Sequence, residues 1–162
     1  MRRLLITLPF VVFVEPGPVI VLVPWLLAGS WHVPASGWPW RGLGAGSIVL
    51  GAVPLADSIW RFVREGRGTP APYAPTQVLV VRGFYRWVRN PMYLGVLAMI
   101  LGQALLFGRP AVFLYALVVA LGFHLRVVLH EEPALRGRYG EQFGTYCRQV
   151  RHWLPMPPRP QG

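Results

Sequence analysis

The sequence contains no lysine, one cysteine and only six acidic residues in 162. A single cysteine, Cys147, rules out an intrachain disulfide and a cysteine-based metal site. The scarcity of carboxylates leaves sixteen arginines largely unbalanced, giving a net charge of +10, while charged residues of both signs make up only 14%. That proportion is well below the quarter or so found in soluble domains. No Gly-rich dinucleotide fingerprint, nucleophile elbow or metal-ligand cluster occurs, and no metal site is expected. A basic excess can signify nucleic acid, but no binding module is recognisable, and no nucleic-acid partner is expected. The arginines lie instead beside apolar runs, where cytoplasmic loops of membrane proteins carry them.

What is abundant is apolar. Hydrophobic residues make up 54% of the chain and come in long runs rather than in alternation. The reading is all-α: one polytopic membrane helical bundle of about four transmembrane helices, followed by a C-terminal amphipathic interfacial helix. The first two segments occupy 1–64, a loop 65–90, a helical hairpin 91–130, the interfacial helix 131–155 and a tail 156–162.

Within this frame the first span covers residues 4–27 and is broken near its middle by Glu15-Pro16-Gly17-Pro18. Breaks of that kind are tolerated where neighbouring helices or water satisfy the freed backbone groups. Glu15 at that depth costs about 2.5–3.5 kcal/mol on insertion scales. It is either a polar contact near a substrate tunnel or a filler at a kink. Ser30 to Trp40 reads as an aromatic interfacial loop, and Leu43 to Val63 as a second span. Gly42, Gly44, Gly46 and Gly51 allow a neighbouring helix to approach closely, and Asp57 and Arg61 are spaced to pair at i, i+4. Glu65 to Gln77 carries three prolines and two glycines; it is a linker or a rigid lid. Pro91–Phe107 and 111–129 flank a Gly108-Arg109-Pro110 turn, which makes them an antiparallel hairpin and brings Arg89 near Glu131. Beyond it, Leu135, Tyr139, Phe143, Tyr146, Val150 and Trp153 form one apolar stripe, read as a single helix from Ala134 to Trp153. Arginine counting places both termini and the 65–90 loop in the cytoplasm, and the Arg-only, Ala/Gly/Pro-rich usage suits a bacterial inner membrane.

The chain centres on residues 78–95, VLVVRGFYRWVRNPMYLG, where Arg82, Arg86 and Arg89 alternate with Tyr85, Trp87 and Tyr93. Pro91 suits the first turn of a helix, so Arg89 and Asn90 stand at a helix start with free backbone N–H groups. Leu79-Val80-x-x-Gly83-x-Tyr85, Arg89-Asn90-Pro91-x-Tyr93-x-Gly95 and Glu131-Glu132-x-x-Leu135 together resemble the isoprenylcysteine carboxyl methyltransferase family and its phospholipid methyltransferase relatives. The resemblance runs from about Gly68 to Pro155. It implies a small integral membrane enzyme using S-adenosylmethionine, a lipid-like or other amphiphilic substrate and contact with membrane lipids; it leaves the oligomeric state open.

By the same resemblance the cofactor contacts are Gln77, Val78, Leu79, Val80, Tyr85, Asn90, Pro91, Met92, Tyr93 and Glu131. The residues' own chemistry and placement add Arg89, Glu132 and Arg126 as catalytic candidates. The chain departs from the prenylcysteine enzymes at two places. Asn90 stands where they carry His, which keeps hydrogen bonding and loses acid/base capacity. Val127, with Arg126 adjacent, stands where they hold a substrate carboxylate with Arg.

A carboxylate acceptor needs only alignment and desolvation, whereas an amine must first lose a proton, to Glu132 or His130. Glu132 can equally pair with Arg136 at i+4, and His130 can be an interface residue. His124, within a span, is expected to hydrogen-bond across helices. A membrane reductase using a nicotinamide cofactor and a non-enzymatic membrane subunit are the alternatives.

Overall fold

A computed structural model describes residues 17–29, 37–64 and 78–157. Glu15 with most of the broken first span, residues 30–36 of the aromatic loop, the 65–77 linker including Gln77, and residues 158–162 lie outside the described residues. The regular structure among the described residues is helical: α1 (Pro18–Ala28), α2 (Trp38–Arg64), a short 3-10 turn (Gly83–Arg86), α3 (Pro91–Phe107), α4 (Pro110–Tyr139) and α5 (Glu141–Gln149). Two stretches, Pro39–Arg61 in α2 and Pro110–Tyr139, are long and apolar enough to cross a membrane. α1 and α3 are apolar but shorter, α3 reaching about 26 Å at helical rise. Leu50, Leu114, Leu117 and Val118 are more than half exposed. Outward apolar faces on this scale suit a lipid surround rather than water.

α2 and α3 make the most extensive helix pair, and glycine makes it possible. A Cβ on Gly51 would lie 2.5 Å from the Gly95 carbonyl oxygen, and one on Gly102 would lie 2.6 Å from that of Gly44. Two glycines seven residues apart on each helix thus oppose two on the other, and the antiparallel backbones touch. Ser47 adds a hydrogen bond to the Ala98 carbonyl at 2.8 Å. Of the four glycines expected to line a close approach, Gly42 and Gly46 meet nothing within 4 Å.

The break at the start of α1 is a π-helical turn over Pro18–Leu22. Its carbonyls are met from outside, as a broken apolar helix requires. Buried Gln103 of α3 donates to the Ile20 carbonyl at 2.8 Å, and Tyr115 of α4 donates to that of Val19 at 3.1 Å. Around these contacts Ile20, Val96, Ile100, Ala104, Val112 and Ala116 form the bundle core.

The hairpin turn occurs as expected, with Gly108 at φ 61° and Pro110 opening α4. α4 does not stop near residue 129, however. It passes through a second π turn, Val127–Glu131, and continues to Tyr139. The expected single helix from Ala134 to Trp153 is also corrected: Gly140 takes φ 52°, ψ −125° and divides it, and helix ends altogether at Gln149. A run carrying Gly137, Gly140 and Gly144 is too weak to continue through the bend. The apolar stripe nevertheless holds, because Leu135, Tyr139, Phe143, Tyr146 and Val150 gather into one cluster against Leu79 and Val81.

Candidate active site

The site forms where the C-terminal end of α2, the start of α3 and the second π turn of α4 meet. Asp57 and Arg61 pair as their spacing predicts, Nε lying 2.9 Å from Oδ2. Asp57 also accepts the Phe84 N–H at 3.3 Å. Gly83, at φ 60°, sits directly on this pair; a Cβ there would fall 2.0 Å from Arg61 Nε. The 3-10 turn is thereby fixed to α2, and it points Tyr85 inward, where its hydroxyl bonds Ser58. Burial pushes the Tyr85 hydroxyl well above the ordinary tyrosine range, and the same holds for Tyr146, which donates to the Tyr85 carbonyl at 2.8 Å.

Arg89 and Asn90 follow, held in place by the segment after α5. The Arg89 N–H donates to the Arg151 carbonyl at 2.9 Å, Asn90 Nδ2 donates to the His152 carbonyl at 3.1 Å, and the Met156 N–H donates to the Trp87 carbonyl at 2.9 Å. Residues 150–156 thus form a strap across the Arg-Asn-Pro corner. Asn90 provides no side-chain cap to α3; its amide is used on the strap.

The two glutamates are divided between two arginines. Arg89 Nη1 lies 2.5 Å from Glu132 Oε1 and 3.0 Å from Cys147 Sγ, with both members of the ion pair only about 13–14% exposed. Arg126 Nε lies 3.0 Å from Glu131 Oε1, which also accepts the Tyr93 hydroxyl. Arg126 and Glu131 are five residues apart, and the π turn is what lets them meet, since its i, i+5 repeat returns them to one face. Glu132 Oε1 further accepts His152 Nε2, and Arg136 reaches its other oxygen at 4.0 Å. The i+4 partner expected for Glu132 is therefore the most distant of its three.

A small, partly open cavity of about 80 Å³ lies among these groups, lined by Leu79, Val80, Tyr85, Arg89, Asn90, Glu131 and Glu132, with Val127, Leu135, Phe143 and Tyr146 completing it. On the other side of Arg89, an open groove of about 530 Å³ runs along Cys147, Arg148, Arg151, His152 and Trp153. The Nε of Arg89 is buried without a partner between them. Of the residues expected at the site, Pro91, Met92 and Tyr93 open α3 beside the cavity without lining it, Val78 is half exposed, and Arg126 meets the cavity-lining Glu131. His130 is exposed and has no part in the cluster, while His124 accepts the Trp153 indole N–H at 3.2 Å instead of bridging spans.

Sequence reasoning missed His152 and the strap. The helical period carried the eye through Val150 to Trp153, whereas the chain leaves the helix at Gln149. The available signal was local: His152 follows the last buried stripe residue by two positions, among prolines that forbid helix.

Outward apolar helices around a polar cluster at the bundle's end define an integral membrane protein with a built site at that end. The family model for phospholipid methyltransferases matches residues 40–142, well over half of the 162, and the chain belongs to that family. The match implies methyltransferase activity with a lipid theme for the substrate. Searches of curated proteins and of solved structures gave no significant match.

Proposed function

We propose that this protein is an S-adenosylmethionine-dependent methyltransferase that modifies an amphiphilic acceptor reaching the site from the bilayer. The observation that carries the reading is the largely buried Arg89–Glu132 pair with the unpartnered Arg89 Nε beside an apolar-walled cavity. S-adenosylmethionine supplies an electrophilic methyl group on a sulfonium together with an amine and a carboxylate. The donor set suits it: Arg89 and the first turn of α3 for the carboxylate, Glu131 for a cationic group, and Leu79, Val80 and Tyr85 as apolar wall. The size of the space is informative too. Ligand pockets run to roughly 300–1,000 Å³; the groove falls in that range and the cavity does not, so Arg89, the wall between them, is the residue that governs access.

In this reading Glu132 holds Arg89, Arg126 and Tyr93 orient Glu131, and Asn90 ties the corner to the strap. Val78, Pro91 and Met92 frame the entrance, with Gln77 completing the contact. The methyl acceptor is a lipid-like amine or carboxylate. Four spans, both termini and the site at the cytoplasmic face of a bacterial inner membrane complete the picture; the arginines of 64–89 and 136–159 support it.

The test is calorimetric titration of the protein in nanodiscs with S-adenosylmethionine, followed by radiolabelled transfer into a lipid extract. Binding that is lost in Glu131→Gln and a methylated lipid product are expected. No binding of the methyl donor overturns the reading, and binding of a nicotinamide cofactor in its place moves the protein to the reductases.

A further inference from the structure

We infer that His152 is the proton acceptor of the methyl-transfer site, oriented by Glu132 and facing the outer groove; this rests on the methyltransferase reading above. Four observations carry it. His152 Nε2 is hydrogen-bonded to Glu132 Oε1, an oxygen that also accepts Arg89 Nη1. A carboxylate oxygen that accepts both leaves the Nε2 position protonated and makes Nδ1 the nitrogen with the free lone pair. Nδ1 makes no hydrogen bond among the described residues. Finally, the imidazole is 27% exposed and lines the groove, while Glu132 is 13% exposed and lines the cavity, so the pair spans the wall between the two spaces.

A carboxylate that fixes one imidazole nitrogen and leaves the other basic is the arrangement by which proteins build a general base near neutral pH. The corner's own motif cannot supply one, since Asn90 does not titrate. The strap supplies it instead, from a segment beyond the 40–142 family match.

The balance of the step is simple. An ammonium or hydroxyl acceptor in the groove gives its proton to His152 Nδ1. Its lone pair then forms the new bond to the methyl carbon as the carbon–sulfur bond of the sulfonium donor breaks, with the electron pair staying on sulfur. The proton leaves His152 for water in the open groove. The groups around the imidazole are Glu132 and Arg136 from α4, Arg89 from the corner, Cys147 and Arg148 from α5, and Arg151 beside it in the strap. An acceptor that is already an anion, such as a carboxylate, has no use for this base.

Two measurements test it. In nanodiscs of total lipid extract, His152→Gln keeps an N–H for Glu132 but loses the titrating lone pair. Turnover is expected to fall 100-fold or more, with methyl-donor affinity unchanged and the acidic limb of the pH–rate profile abolished. Turnover within threefold of wild type with that limb intact overturns the proposal. Independently of turnover and of any donor, ¹⁵N NMR of the imidazole is expected to show Nε2 protonated and Nδ1 bare, with this preference lost in Glu132→Gln. An Nδ1-protonated ring overturns it as well. If the donor fails to bind at all, the methyltransferase reading falls, while the NMR result still decides the dyad.

Discussion

α3 is held in two different ways. Along its length it meets α2 backbone to backbone, through Gly95 and Gly102 against Gly51 and Gly44, with no charge in the seam. At its first residues it is held by polar groups: Arg89 on Glu132, Tyr93 on Glu131 and Asn90 on the strap. The seam depends on shape and tolerates nothing larger than hydrogen. The corner depends on charge and hydrogen bonds. Shape holds one face of the helix and polar contacts hold its start, with Gly95 of the seam only two residues beyond Tyr93 of the corner.

The most direct way to break this contrast is Arg89→Ala. Removing one partner of a largely buried pair leaves Glu132 to His152 and the more distant Arg136, at a cost approaching the roughly 3–5 kcal/mol of a broken buried pair. Donor affinity in calorimetry should fall far more than the helical signal in circular dichroism. Equal losses of binding and helicity would mean that the corner, too, is structural. The converse variant is Gly51→Val, whose new Cβ meets the Gly95 carbonyl at 2.5 Å. Overpacking of this kind costs about 1–3 kcal/mol, so the thermal midpoint should drop while the fraction that stays folded binds the donor as before.

The smallest expected effect concerns alkaline pH. Tyr85 and Tyr146 are raised from 10.0 by burial, so above pH 10 the unfolded chain releases protons that the folded chain keeps. Stability is therefore whole below that pH and declines above it. Tyr146→Phe should flatten the decline while costing about 0.5–1.5 kcal/mol for the lost hydrogen bond to the Tyr85 carbonyl. A midpoint independent of pH above 10 in the wild type would remove the buried hydroxyls from the account.

Much of the bundle was legible because its determinants are local or periodic. The Gly108-Arg109-Pro110 turn, the Asp57–Arg61 pair and the apolar stripe after residue 134 are all short-range patterns, and all three are present. The hairpin turn alone was enough to bring Arg89 near the glutamates. What was not legible depends on backbone register. A π turn has no composition of its own, so nothing announced that Arg126 would reach Glu131 or that α4 would run on past the acidic pair. The expected pairing of Glu132 with Arg136 is present but is the longest of its contacts, because a rule about neighbours on one helix cannot see an arginine arriving from 43 residues away. The helix break at Gly140 was signalled by the three glycines, yet periodicity overrode them.

The strap has a consequence for biosynthesis. Residues 150–156 are made about sixty residues after the corner that they fasten, which residues 87–90 form. The helices can insert one after another as they emerge, but the corner stays unlatched until Met156 has cleared the ribosome and folded back to Trp87. A chain that stops short of Met156 would lack the hydrogen bond to Trp87 and leave the corner unfastened.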